Sequence, residues 1–368
     1  MKLEGLKVID LSVFLPGPYL TLAMADHGAD VIKVEPPGGD PGREIGLSDG
    51  PHTVFFRLLN RGKKSVMLDL KTAAGREALL RLCEDADVFV ESFRPGVTER
   101  LGVGPDDCLT RNPRLVYGRM TGWGQDGPLA NAAGHDINYI SITGALAAIG
   151  TKDAPVPPLN LVGDFGGGAL YLVVGVLAAL LEASKSGKGQ VVDAAMCDGA
   201  ASLMSMFFDL TAIGRWREGR ERNCLDGGAH FYGVYECACG NFISIGSIEP
   251  QFYALLREHA GLSDAAFDAQ MDNNAWPALK EKLKAVFKSK TREDWCKIME
   301  GTDICFAPVL TMAEATQHPH MVARKVFVER HGVKQPAPAP RFSRTPSAIR
   351  EPEVAELGAV TKAWSAGK

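Results

Sequence analysis

Runs of like charge are missing from this 368-residue chain: 40 Lys and Arg stand against 44 Asp and Glu, for a net charge of −4, and nowhere do five or six of one sign follow one another. Such a balance excludes a nucleic-acid groove or a polybasic membrane anchor and leaves small molecules or a second copy of the chain as partners. The glycine fingerprint of nicotinamide and flavin enzymes is also absent. The first apolar run leads into Ser12-Val13-Phe14-Leu15-Pro16-Gly17-Pro18, and no G-x-G-x-x-G opens the next helix. There is no P-loop either, because Ser186-Gly187-Lys188-Gly189-Gln190 lacks the first glycine and reads as a helix stop before Val191-Val192-Asp193. The eight cysteines are scattered, and the close pair in Cys237-Ala238-Cys239 has the spacing of neither a zinc knuckle nor a redox couple, so no metal is expected. The longest apolar stretch, Ala169 to Leu181, is short for a membrane span and charge follows it. Met1 to Lys7 runs directly into Val8-Ile9-Asp10-Leu11 without an apolar leader, so the expectation is a cytoplasmic protein with no membrane partner. No internal repeat appears.

What is present is a strand and helix rhythm. Val8–Leu11, Ala29–Val34, Ser65–Leu70, Asp87–Val90 and Leu115–Met120 read as strands, with helices over Pro18–His27 and Thr72–Ala86. Nearly continuous apolar strands in such an alternation predict an α/β fold, a Rossmann-like parallel sheet covered on both faces. The character changes near Asn223-Cys224-Leu225-Asp226-Gly227-Gly228, where short strands (Phe231–Cys237, Phe242–Gly246) and helices (Pro250–His259, Trp276–Lys288, Arg292–Met299) predict a smaller α+β domain. The expected organisation is a large domain over 1–195, a helical linker over 196–224, the small domain over 225–312, and a return segment over 313–368. Within that segment Gln335 to Phe342 is proline-rich and extended.

Two neighbouring segments set one ionisable side chain each among glycines and apolar residues: Gly134-His135-Asp136-Ile137-Asn138-Tyr139 and Asn160-Leu161-Val162-Gly163-Asp164-Phe165-Gly166-Gly167-Gly168. Proton transfer needs a titratable group that burial can tune, with small neighbours that let a substrate approach. The plainer alternatives are a structural histidine and an aspartate that caps the apolar helix beginning near Ala169. In that position, free amides near Asp164 would favour an oxyanion. Glu249, in Ser247-Ile248-Glu249-Pro250, reads either as a third functional carboxylate or as an acid favoured beside a helix start. Arg43, Arg61, Lys63, Lys64, Lys71, Arg94 and Arg100 gather at strand ends and loops of the first third, where they could converge on a phosphorylated ligand or remain solvated.

These segments, together with Pro157 to Gly167, Gly187 to Ala194, Leu225-Asp226-Gly227-Gly228-Ala229, Ile248 to Tyr253 and Gly301-Thr302-Asp303, resemble the α-methylacyl-CoA racemases of the family III CoA-transferase superfamily, from about residue 3 to about residue 345. The resemblance implies that fold, exchange of the α-proton at C2 of a 2-methylacyl-CoA thioester, and no metal or organic cofactor. It assigns catalysis to His135 and Asp164, with Glu249 partnering the histidine. It assigns contacts with CoA to Leu68, Asp69, Leu70 and Lys71, to Arg94 and Arg100, and to Gly134, Asp136, Ile137, Asn138 and Tyr139. It further implies an interlocked homodimer whose sites combine the large domain of one chain with the small domain of the other. Between Val34 and Lys64 the chain departs from the racemases, being longer and more like the CoA-transferases. A CoA-contacting arginine of the racemases falls near Pro36, so Arg43 is the candidate replacement, and Arg61 is a further candidate. Two other readings stand beside this one: a CoA-transferase in which Asp164 is the nucleophile of an acyl anhydride, and a non-catalytic acyl-CoA-binding protein.

Overall fold

The computed structural model describes residues 1–48 and 53–366, which divide into two units. The first comprises Met1–Ala145, Pro158–Met204 and Pro338–Lys368, and the second Leu146–Pro157 and Ser205–Ala337.

In the first unit six parallel strands, β1 (Lys7–Asp10), β2 (Asp30–Glu35), β3 (Lys63–Met67), β4 (Val88–Glu91), β5 (Val116–Thr121) and β6 (Val191–Ala195), lie in the order β3-β2-β1-β4-β5-β6. A short strand from the carboxyl-terminal segment, Glu353–Val354, extends the sheet beyond β3. Among the helices around the sheet are α1 (Pro16–Asp26), α2 (Ala73–Cys83), α3 (Val97–Arg100), α4 (Asp136–Ser141), α5 (Tyr171–Ser186) and α6 (Met196–Leu203). Local chemistry starts them: proline stands in the first turn of α1, and the Thr72 hydroxyl accepts the Gly75 N–H at 3.0 Å to cap α2.

Successive strand residues point to opposite faces, so the sheet supports two cores. Ile9, Ile32, Phe89 and Tyr117 pack with Leu79 and Leu82 of α2, whereas Val8, Val31, Val88 and Val116 pack with Leu20 and Met24 of α1 and with Leu172 and Val176 of α5. Each such side chain, withdrawn from water, contributes on the order of 1.5–3 kcal/mol. The expected parallel sheet is therefore present, and its order places the reversal of winding between β1 and β4. Connections leave those two strands toward opposite faces, which opens a crevice at their carboxyl ends.

Charge is also buried here. Lys63 donates to Asp10 at 3.0 Å, and Lys33 pairs with Asp40 at 2.8 Å while donating to the Ser12 carbonyl at 2.8 Å. Burial alone would raise the Asp10 carboxyl, but Lys63, Lys33 and the hydroxyls of Ser12 and Thr21 hold it at about 2. The same burial brings Lys63 down to about 8 against the pull of Asp10. The cluster anchors the loop that leaves β1 toward the crevice.

The helix expected from near Ala169 begins earlier. Leu161–Leu170 winds as a π-helix and passes directly into α5. The combined run, Leu161–Ser186, has 26 residues and is by length and composition able to cross a membrane, in contrast to the shorter stretch read from the sequence. Leu172, Val176 and Ala179 pack it onto the sheet, while Val174 and Leu181 are exposed.

The second unit contains an antiparallel sheet of β7 (Tyr232–Glu236), β8 (Phe242–Gly246) and β9 (Phe306–Pro308). Helices Pro250–Ala260, Trp276–Phe287 and Arg292–Met299 join it around Phe231, Tyr235, Leu283, Phe287 and Trp295. The proline-rich segment starts inside a hairpin formed by Phe327–Arg330 and Val333–Pro336.

Candidate active site

At the carboxyl ends of β1, β4 and β5 the first unit holds a cavity of about 820 Å³. Its wall includes Val13 to Pro16 after β1, Ser92 to Pro95 after β4, and Thr121 at the end of β5 with Gly122 and Trp123 after it. The Ser92 hydroxyl accepts the Val13 N–H at 2.9 Å and joins the first two loops. The crevice that the strand order dictates is the one the cavity fills.

His135 and Asp164 both line this cavity. His135 is the cap residue before α4, its N–H bonded to the Asn138 side-chain oxygen at 3.0 Å and its side chain exposed. Asp164 stands in the first turn of the π-helix, half-buried. Such wide turns recur at functional sites because they re-aim side chains within a continuous helix. The two segments are tied together: Asp136, the residue after His135, is buried and accepts the Asp164 N–H at 2.7 Å. Gly163 makes that approach possible, because a Cβ at this position would overlap the Asp136 carboxylate.

Burial raises the Asp164 carboxyl above its ordinary range. The Asn160 amide, donating to it at 3.0 Å, opposes this, the neighbouring Asp136 charge adds to it, and His135 opposes it. A carboxyl moved toward neutrality in an open cavity is equipped to accept or return a proton. The amide of Asp164 itself is committed to Asp136 and so is not among the free amides near Asp164 that were expected to favour an oxyanion.

The cavity also includes Arg94, Gly134, Asn138 and Tyr139 from the sequence-derived set. Tyr139 is buried, donates its hydroxyl to the Gly134 carbonyl, and sits edge-on to Trp123 with ring centroids 4.7 Å apart. Burial and the Asp164 charge raise its phenol pKa. Arg94 and Arg100 are exposed, and among the described residues neither has an ion-pair partner. Leu68, Asp69, Leu70 and Lys71 follow β3 at the same carboxyl edge of the sheet, outside the cavity wall. There the Asp69 side chain accepts the Lys71 N–H at 3.0 Å. Ile137 is exposed on α4.

Four of the candidate basic residues are paired within the fold, among them Lys64, which pairs with Asp30 at 2.8 Å. Arg43 makes a two-pronged pair with Glu35, at 2.6 and 2.7 Å, and its guanidinium lies 3.9 Å from the Phe56 ring centroid. Arg61 pairs with Asp26 at 2.6 and 3.0 Å and is 9% exposed, so the fold rather than the cavity uses its charge. Lys63 is enclosed with Asp10, as described above. Glu249 belongs to the second unit, where it is exposed as the cap residue before helix Pro250–Ala260.

Several wall residues escaped the sequence reading. Phe14 holds a left-handed backbone, φ 64°, which is unusual for an aromatic residue, and is 55% exposed. Trp123 contributes a buried indole nitrogen that has no hydrogen-bond partner among the described residues. Met120 and Met196 complete an apolar side. The available signal was positional, since each follows or ends a strand at the switch point or begins a helix beside it.

Comparison with known proteins shows the family of the chain. The chain is 44% identical over 361 residues to alpha-methylacyl-CoA racemase of Mus musculus, covering 97% of this chain and 91% of that protein. It is 42% identical over 362 residues to the Homo sapiens protein of the same name, with the same coverage. A crystal structure of a CAIB/BAIF family protein from Brucella suis superposes with a TM-score of 0.84 at 28% identity, covering 98% of both chains. The model of CoA-transferase family III matches residues 3–361, and the chain belongs to that family.

Proposed function

We propose that the chain is an isomerase that interconverts the (2R) and (2S) forms of 2-methylacyl-CoA thioesters, without a metal or organic cofactor. The observation that carries this reading is the presence of His135 and Asp164 in the wall of one cavity, with the Asp164 carboxyl raised toward neutrality. The hydrogen beside a thioester carbonyl is weakly acidic, so its removal requires a placed base and stabilisation of the developing enolate. Inversion requires a second proton carrier on the other face. One of the pair takes the proton from C2 and the other returns one, with roles exchanged for the opposite enantiomer. Arg94 and Arg100, exposed and without ion-pair partners among the described residues, suit the phosphates of CoA. Glu249 is assigned as the partner of His135, supplied by the second chain of an interlocked homodimer. A cytoplasmic setting belongs to the same reading.

The test is proton NMR of a 2-methylacyl-CoA in deuterium oxide with the enzyme. Loss of the C2 proton signal from either enantiomer, with formation of the other, is expected. Movement of CoA to an added carboxylic acid, with hydroxylamine trapping an acyl anhydride on Asp164, would instead establish the transferase. Binding without either reaction would leave only an acyl-CoA carrier.

A further inference from the structure

The segment from the end of β4 through α3 carries Arg94 and ends at Arg100, and both of its flanks are tied to one buried arginine on the neighbouring strand. Arg119 of β5 is 6% exposed. Its Nε donates to Glu91 at 2.9 Å, at the end of β4, and its Nη1 donates to Glu99 at 2.8 Å, within α3. The other oxygen of Glu91, a fully buried residue, accepts the Phe93 N–H at 2.6 Å, one residue before Arg94. Arg119 therefore closes a loop whose enclosed residues include four from the cavity wall, Ser92, Phe93, Arg94 and Pro95.

We infer that Arg119, with Glu91 and Glu99, is a brace that sets the position of Arg94 for the nucleotide end of CoA. The inference rests on the proposed acyl-CoA reading, and none of the three touches the reacting carbon. Two features favour positioning over simple stability. Arg119 spends its charge on carboxylates at both ends of one ligand loop, and the loop's own arginines are left without ion-pair partners among the described residues. Burial also pushes the Glu91 carboxyl up to about 7, against the Phe93 amide and Arg119, which both oppose the rise. A carboxyl held at such a cost merely to fill space would be readily replaced by an apolar side chain.

Glu99 is the place to test this, because its side chain is 45% exposed and its change leaves the core intact. Glu99→Gln and the charge-reversing Glu99→Arg should raise KM for a 2-methylacyl-CoA in that order, by roughly three- to tenfold for Gln, the coupling expected of contacting residues. Both should leave kcat unchanged, and also leave unchanged KM for the matching acyl-pantetheine, which lacks the nucleotide. In an Arg94→Ala background Glu99→Gln should add nothing further. Calorimetric binding of free CoA supplies a readout independent of turnover: the same rise in Kd should appear even if the wild-type enzyme performs no C2 exchange, which would overturn the racemase reading while the brace stands. Equal effects on acyl-CoA and acyl-pantetheine, full additivity with Arg94→Ala, unchanged CoA affinity in both Glu99 variants, or no binding of CoA by the wild type would each overturn the brace.

Discussion

A carboxylate beside a second carboxylate raises the latter's pKa, and Asp136 stands in that relation to Asp164. Asp136→Asn keeps an oxygen that can accept the Asp164 N–H but removes the negative charge. The Asp164 carboxyl should then ionise at lower pH. If Asp164 takes the proton from one enantiomer, as proposed, it must be deprotonated to do so, and the acid limb of the kcat/KM profile for C2 exchange from that enantiomer should move to lower pH. A limb that stays in place or moves upward would deny Asp136 its electrostatic part. At this scale the sequence was legible where chemistry was local: His135 and Asp164 stood out as ionisable residues among glycines. It was not legible where a partner lay far along the chain. Arg61 looked like a ligand contact because nothing near it announces Asp26, and Arg43 because its pairing with Glu35 depends on how β2 meets the following loop.

Among the elements, the first five strands of the large sheet were plain from their apolar runs, whereas β6 and the π-helix were not. A wide turn at Leu161–Leu170 has no period of its own in so short a glycine-rich stretch, and the reading placed the helix start where the apolar run became dense. β9 and the strand Glu353–Val354 were missed for a related reason: three and two residues give too little alternation to read. The π-helix depends on close approach to α4 at Gly163. Gly163→Ala should force its Cβ against the Asp136 carboxylate, separate the His135 and Asp164 segments, and lower kcat for C2 exchange at least tenfold, since small misplacements of reacting groups are costly. Circular dichroism should stay near wild type, with a melting temperature lowered by several degrees, typical of about 1–3 kcal/mol of overpacking. A variant with wild-type kcat would show that the spacing of the two segments does not govern the chemistry.

For the whole molecule, the division of labour among proposed catalytic residues runs across the two units: His135 and Asp164 belong to the first and Glu249 to the second. The change of sequence character near Asn223 signalled a second body, because strand alternation and helix periodicity restart there. A return segment was expected over 313–368; in the structure Pro338–Lys368 belongs to the first unit, where Trp364 and Val360 reach the core through contacts with residues hundreds of positions earlier, while the chain up to Ala337 stays with the second unit. The proposed homodimer makes a prediction at this scale. If Glu249 of one chain partners His135 of the other, each active site draws on two polypeptides, and a heterodimer of His135→Ala with Glu249→Ala holds one site with both defects and one with neither. Co-refolding the two inactive variants in equal amounts should therefore restore C2 exchange. With random pairing half the dimers are mixed and one of their two sites is intact, so about a quarter of wild-type activity is expected, after both variants alone are shown to be inactive. Mass spectrometry of differently tagged chains verifies that mixed dimers form. Mixed dimers without recovered activity would mean that no site combines His135 of one chain with Glu249 of the other, and Glu249 would then have to act within its own chain or not at all.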